Sequence, residues 1–271
     1  MKGRSTTIIM VALCVACLLK ACIPMLQTTL EPGIQPHILK ADAEVYVYTS
    51  SDTLPVNVRK IGNITIVPSG LNQICDLASV LEKAKDEARK LGANIVHITQ
   101  LDVPHRWEFC HRLKVTLYSG AKDSISKQHK ILKVNSNAIH DKQYALLHIY
   151  RFDGPSSWLR YNLKLGDTTL CRVKNNFKTT LKLCKEGSNL ITINKRKRGL
   201  PLDVVFGEEY YLRCTINGNS SIGVGVNGME VTVATSPSID FISNTIGALE
   251  FEAFNAKRDE TKLNNVKIRE L

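Results

Sequence analysis

Aromatic side chains make up only 6% of this 271-residue chain, two of them tryptophan, and no acidic residue occurs before Glu31. No apolar run reaches the roughly 20 residues of a membrane-spanning helix; the run from Ile8 to Leu19 stops at Lys20. Beyond Cys22 no two cysteines have CxxC spacing, which argues against a zinc ribbon. The glycine-dense stretch GVGVNG, Gly223–Gly228, lacks the Lys-Ser/Thr pair of a phosphate-binding loop and precedes a strand-like run instead of a helix, so it reads as a turn.

What the chain does have begins at its start. Lys2 and Arg4 precede the Ile8–Leu19 run, giving the charged and apolar regions of an export signal over residues 1–21. CVAC and LKAC each place alanine directly before cysteine. This resembles the bacterial lipobox and implies lipidation at Cys17, with Cys22 second. Residues 22–40, which hold Pro32, Gly33 and Pro36, read as a tether (Pro24 lies at its edge). The net charge of +11 would first suggest nucleic acid. Export argues against that partner and leaves anionic lipid headgroups, lipopolysaccharide or cell-wall polymers as the acidic neighbours.

Residues 41–119 read as a small α+β unit. VYVYTSS and RKIGNITIV are strand-like. Asp76 is a fitting helix N-cap; Leu77, Val80, Leu81, Ala84, Ala88 and Leu91 follow at helical spacing, and Gly92 stands where the helix should end. ANIVHITQL and HRLKVTLYS are expected strands on either side of the DVPHRWEFC loop. Residues 120–142, polar and lysine-rich, are expected to be a linker. From 143 to 271, strand-like runs alternate with turn sequences such as DGPSS, KNN and KEG, which indicates an all-β antiparallel sandwich.

Cysteine fates follow from an oxidising compartment. Cys75 precedes the helix cap and Cys110 precedes the last strand of the small unit, so a Cys75–Cys110 bridge is expected, worth roughly 3–4 kcal/mol by chain entropy. Cys171, Cys184 and Cys214 allow three pairings. Cys171–Cys214 is preferred, because both lie within strands whereas Cys184 lies at a strand end. One group of residues could carry chemistry: His97, Asp102, His105, Glu108, Cys110 and His111. The His97/His105/Cys110/His111 set would suit zinc or copper if the loop folded inward, but Cys110 and His111 are strand neighbours that face opposite ways. The expectation is therefore no catalytic residue, no metal and no cofactor. Trp107 and Phe109 are expected to cover a core edge, and Lys195–Arg198 to be a solvated hairpin.

The order YTS (Tyr48–Ser50), Cys75, a charged alanine-containing helix, ANIV (Ala93–Val96) and Cys110-His111-Arg112 resembles the domain of the outer-membrane stress-sensor lipoprotein of the Rcs phosphorelay. The likeness covers about 80 residues, although the second disulfide of that family has no counterpart here. The later half, with ALLHIYRF, LKLGDTTLCRVKNN, KEGSNLITI, VVFGEEYYLRC and TIGALEFE, resembles a lipoprotein-associated β-sandwich family of uncharacterised function, whose pattern implies a hairpin over KNN. Together these resemblances imply a lipid-anchored envelope protein, in the outer membrane facing the periplasm or cell surface, that binds or senses an envelope protein partner without catalysis. A metal-binding or enzymatic use of the histidine loop, and a purely structural scaffold, are the alternatives.

Overall fold

The computed structural model describes residues 25–67, 75–106, 108, 110–136, 142–154, 156–194, 199–225, 228–255 and 269–270. The fold is mostly β-sheet, with helices at Leu77–Leu91, Lys122–Ser136 and Asn244–Ala253. It divides into two compact units, Met1–Asp102 with Cys110–Leu132, and Val103–Phe109 with Lys133–Leu271.

The first unit is built on strands β1 (Met25–Leu30), β2 (Tyr46–Tyr48), β3 (Arg59–Val67), β4 (Ile95–Asp102) and β5 (Arg112–Ser119), in the order β1-β3-β5-β4-β2. All neighbours are antiparallel except β2 and β4. Alternation along β3 and β5 buries Ile64, Ile66, Leu113, Val115 and Leu117. Helix α1 (Leu77–Leu91) packs across β3, β4 and β5 and buries Leu77, Val80, Leu81, Ala84 and Ala88. Its start is fixed by Asp76, whose carboxylate accepts from the Ser79 amide at 2.9 Å. Its end is fixed by Gly92 at φ 79°, where a Cβ would lie 2.5 Å from the His37 carbonyl oxygen.

Two segments of this unit depart from expectation. The described part of the expected tether contains β1, paired with β3 from Met25 opposite Val67 to Leu30 opposite Gly62. Leu39 N–H then donates to the Arg89 carbonyl, and Lys60 pairs with Glu31 at 2.7 Å. Prolines and polar residues had read as free chain because an edge strand needs only one partner and little burial. Residues 122–136 of the expected linker form helix α2 (Lys122–Ser136). Ile125 is fully buried with Tyr46, Tyr48 and Ile95, and Gln128 Nε2 donates to the Thr53 carbonyl at 2.7 Å. Among the described side chains of α2, one apolar anchor with Gln128 and His129 one turn on makes too sparse a stripe to show as a periodic pattern.

The second unit holds two sheets. Strands β6 (Ala145–Arg151), β7 (Tyr161–Leu165), β8 (Thr168–Val173), β9 (Phe177–Leu183), β10 (Gly187–Ile193), β11 (Gly199–Val204), β12 (Glu209–Gly225), β13 (Gly228–Ile242) and β14 (Arg269–Glu270) are ordered β11-β10-β7-β8 and β13-β12-β6-β9-β14. Leu163, Leu170, Ile191 and Leu202 from the first sheet share one core with Leu147, Ile149, Leu181 and Leu212 from the second. The strand segments read from the sequence are present, but the purely antiparallel, all-β expectation needs correction. The pairs β6–β12 and β9–β14 are parallel, and helix α3 (Asn244–Ala253) occupies the TIGALEFE segment. Alternation reports which face of a strand is buried and carries no information on strand direction. KNN closes no hairpin: β8 pairs with β7 and β9 with β6, so the turn passes the chain between sheets. The glycine-dense segment is largely strand, with pairing from Tyr211 opposite Ile242 out to Gly225 opposite Gly228.

Candidate functional site

The cysteine and histidine residues expected to group around the 103–111 loop sort into separate local roles. Cys75 and Cys110 are joined by a disulfide with Cα atoms 5.0 Å apart. Beside it, the His111 amide donates to the Cys75 carbonyl at 3.1 Å, and His111 Nδ1 lies 3.3 Å from the same oxygen. The bridge and these contacts clamp the entry to α1 against the start of β5. His97 Nε2 meets the Thr49 carbonyl at 3.1 Å. Asp102 accepts from Gln100, and His105 pairs with Glu108 at 3.2 Å across a small backbone bridge. With its sulfur in a disulfide, Cys110 offers no thiolate to a metal or substrate. Among the described residues no three His, Cys, Asp or Glu side chains are grouped to hold a metal ion.

The remaining cysteines correct the second pairing. Cys171, Cys184 and Cys214 are in no disulfide, so the preferred Cys171–Cys214 bridge is not formed. Cys171 lies on β8 of one sheet and Cys214 on β12 of the other. Each is paired only within its own sheet, β8 with β7 and β12 with β6 and β13, so no shared strand register sets the two side by side. Burial pushes the Cys214 thiol up to about 12, which leaves it protonated and unreactive at neutral pH. Cys17 and Cys22 lie outside the described residues, as do Trp107, Phe109 and Lys195–Arg198.

A denser polar cluster, invisible in the linear sequence, sits under helix α3 on the outer face of the mixed sheet. Strand register creates it: His148 on β6 lies opposite Thr180 on β9 and Tyr211 on β12, while Tyr150 lies opposite Lys178 and Arg213. His148 Nδ1 is 2.9 Å from the Thr180 hydroxyl, and its Nε2 is 3.4 Å from a Glu209 oxygen, an ion-pair distance longer than a good hydrogen bond. Tyr211 donates to the same Glu209 oxygen at 2.9 Å. His148, then Tyr211, hold the Glu209 carboxyl below its usual range against the opposing effect of burial.

Helix α3 closes over these groups. Gly247 permits the contact, since a Cβ there would stand 2.3 Å from Cβ of Tyr211. Phe251 meets His148 edge-on at 4.8 Å, and Tyr211 stacks on that imidazole at 4.6 Å. Glu250, completely buried, accepts from the Tyr150 hydroxyl at 2.5 Å and from Arg213 Nη1 at 3.0 Å. Lys178 donates to the Phe251 and Phe254 carbonyls at the helix end, where a cation also complements the helix dipole. Burial, reinforced by the adjacent Glu250 charge, raises the Tyr150 hydroxyl far above its normal value, so it remains a donor. Thr180, His148 and Glu209 have the group types of an acid–base relay, but Thr180 is only 5% exposed and Phe251 covers the imidazole. These contacts fasten α3 to the sheet.

No protein-family model, no curated protein and no solved structure matches the chain.

Proposed function

We propose that this chain is a lipid-anchored bacterial cell-envelope protein that binds or senses a partner without catalysis. In this reading residues 1–21 are a leader ending in a lipobox, and Cys17, with Cys22 second, receives the lipid. An α+β unit akin to the Rcs stress-sensor domain is followed by a β-sandwich, on which helix α3 and the parallel strand pairs are additions. The outer membrane, facing the periplasm or the cell surface, is the site this reading favours.

The observation that supports it most is the Cys75–Cys110 disulfide. Such bonds persist in oxidising compartments and are rare in the reducing cytosol, which agrees with an export signal ahead of the fold. Cys110 has its sulfur in that bridge, and the Thr180 hydroxyl beside His148 is buried at the sheet, which favours recognition over turnover. The test is fractionation of producing cells with intact-mass measurement of the membrane-bound protein. A mature chain starting at an acylated Cys17 or Cys22 is the expected result. An unmodified chain recovered from the cytosol, with Cys75 and Cys110 reduced, would reject the reading. Cross-linking in cells should then capture the envelope protein partner.

A further inference from the structure

In the second unit the segment joining β6 to β7 holds an aromatic ring out of the core. Trp158 is 73% exposed, in a chain with only two tryptophans. The loop beneath it is firmly built. Arg151, 3% exposed, donates from Nη1 to the Leu159 carbonyl at 2.7 Å and from Nη2 to the Ser156 carbonyl at 3.1 Å. Leu159 N–H closes on the Ser156 carbonyl at 3.0 Å, with Ser156 at φ 59°. Asn175 binds Asp153 through its amide nitrogen and accepts from the Gly154 amide at 3.2 Å, which ties the 174–176 turn to the same loop.

Burying a guanidinium is expensive unless its donors are met, and here one donor on each Nη is met by the carbonyls of Ser156 and Leu159, on either side of Trp158. The result is a fixed platform that presents an indole to solvent, and a fixed element loses little conformational entropy on docking. Its surroundings are cationic. Arg160 and Lys174 flank the end pair of β7 and β8, Tyr161 opposite Val173, and both are exposed. Arg172, also exposed, is one position further in. The one carboxylate in the two loops is Asp153, which Asn175 engages. An indole has an apolar body and a polar N–H and settles at the boundary between lipid headgroups and acyl chains. Lysine and arginine beside it add attraction to anionic headgroups.

We propose that the Trp158 loop is a membrane-docking element that seats its indole in the headgroup layer of an anionic bilayer, with Arg160 and Lys174 on the lipid phosphates. This rests on the reading that the chain works at a membrane surface, and assigns the second unit a contact of its own besides the N-terminal lipid.

The test uses the full chain carrying Trp107→Phe, so that Trp158 is the sole indole. It is mixed with phosphatidylcholine vesicles, with or without phosphatidylglycerol, whose acyl chains are plain or brominated. The expected result is blue-shifted emission and quenching by brominated lipid in the anionic vesicles, suppressed by high salt. In Arg160→Gln/Lys174→Gln the lipid needed for half-maximal quenching should rise roughly 25-fold, about fivefold per charge removed. A chain that sediments with vesicles while Trp158 stays unquenched overturns the inference and leaves the envelope reading standing. A chain that neither sediments nor is quenched overturns both. Equal quenching in neutral vesicles, or an emission shift with soluble acidic polysaccharide but not with lipid, also overturns it.

Discussion

Replacing Glu250 with Gln removes a buried charge while keeping the shape of the side chain. The carboxylate joins Tyr150 on β6 to Arg213 on β12 beneath α3, and it has no exposure to water. Hydrogen bonds to a charged group are worth about 1.5–3 kcal/mol each. The amide can still accept from Tyr150, at the lower value of a neutral bond. The Arg213 side chain keeps 24% exposure, so water takes over part of its lost pairing. The net cost should be about 2–3 kcal/mol, and about 3–5 kcal/mol for Glu250→Ala, which also leaves a void and strands the tyrosine hydroxyl. Native-state hydrogen exchange of amides in α3, β6 and β12 reads this without requiring the two units to unfold together. At 25 °C, Glu250→Gln should speed exchange there by roughly 30- to 150-fold. A double-mutant cycle with Tyr150→Phe should give a coupling of about 1 kcal/mol or more. Acceleration below about threefold, with no coupling, would mean that apolar contacts hold the helix and the carboxylate is incidental.

Three further outcomes are expected. Ile125→Ala should cost about 2–5 kcal/mol in urea unfolding of the first unit; a change under 0.5 kcal/mol would return residues 122–136 to the status of a linker. Glu209 titrates below its ordinary value in the folded state, so near pH 4 the unfolded chain binds more protons than the folded one. That stabilisation is complete above the ordinary carboxyl value and is lost as pH falls through the folded value; Glu209→Gln should therefore flatten the acid limb of the stability curve below about pH 4.5 and leave pH 7 to 8 unchanged in slope. Non-reduced peptide mapping should find Cys75 joined to Cys110, with Cys184 alkylated in the native protein and Cys214 only after unfolding, and Cys75→Ala/Cys110→Ala should lower first-unit stability by about 3–4 kcal/mol.

The parts legible in the sequence were those with local causes. Asp76 and Gly92 bracket α1 because capping chemistry acts over three or four residues. The Cys75–Cys110 bridge could be argued because each cysteine lies at the edge of an element whose type was readable. Helix α2 was missed because, among its described side chains, the buried apolar residue is Ile125, packed with Tyr46, Tyr48 and Ile95. The cluster under α3 was illegible for a different reason. His148, Thr180, Glu209 and Glu250 are scattered over a hundred residues, and only parallel pairing of β6 with β12 aligns them. Trp158 was likewise passed over, since its exposure depends on Arg151 being turned inward, which no periodicity encodes.

Strand β1 changes the reach of the molecule. Six residues of free chain would give an anchored protein about 20 Å of slack, but Met25–Leu30 are zipped to β3 in continuous register. Pulling on the residues ahead of Met25 therefore loads the edge of a sheet instead of drawing out a leash. Because β1 runs antiparallel to β3 with Met25 at the outer end of the register, tension applied there meets the Val67 pair first and peels the strand pair by pair. The length hidden in β1 is released only above the force that opens this edge.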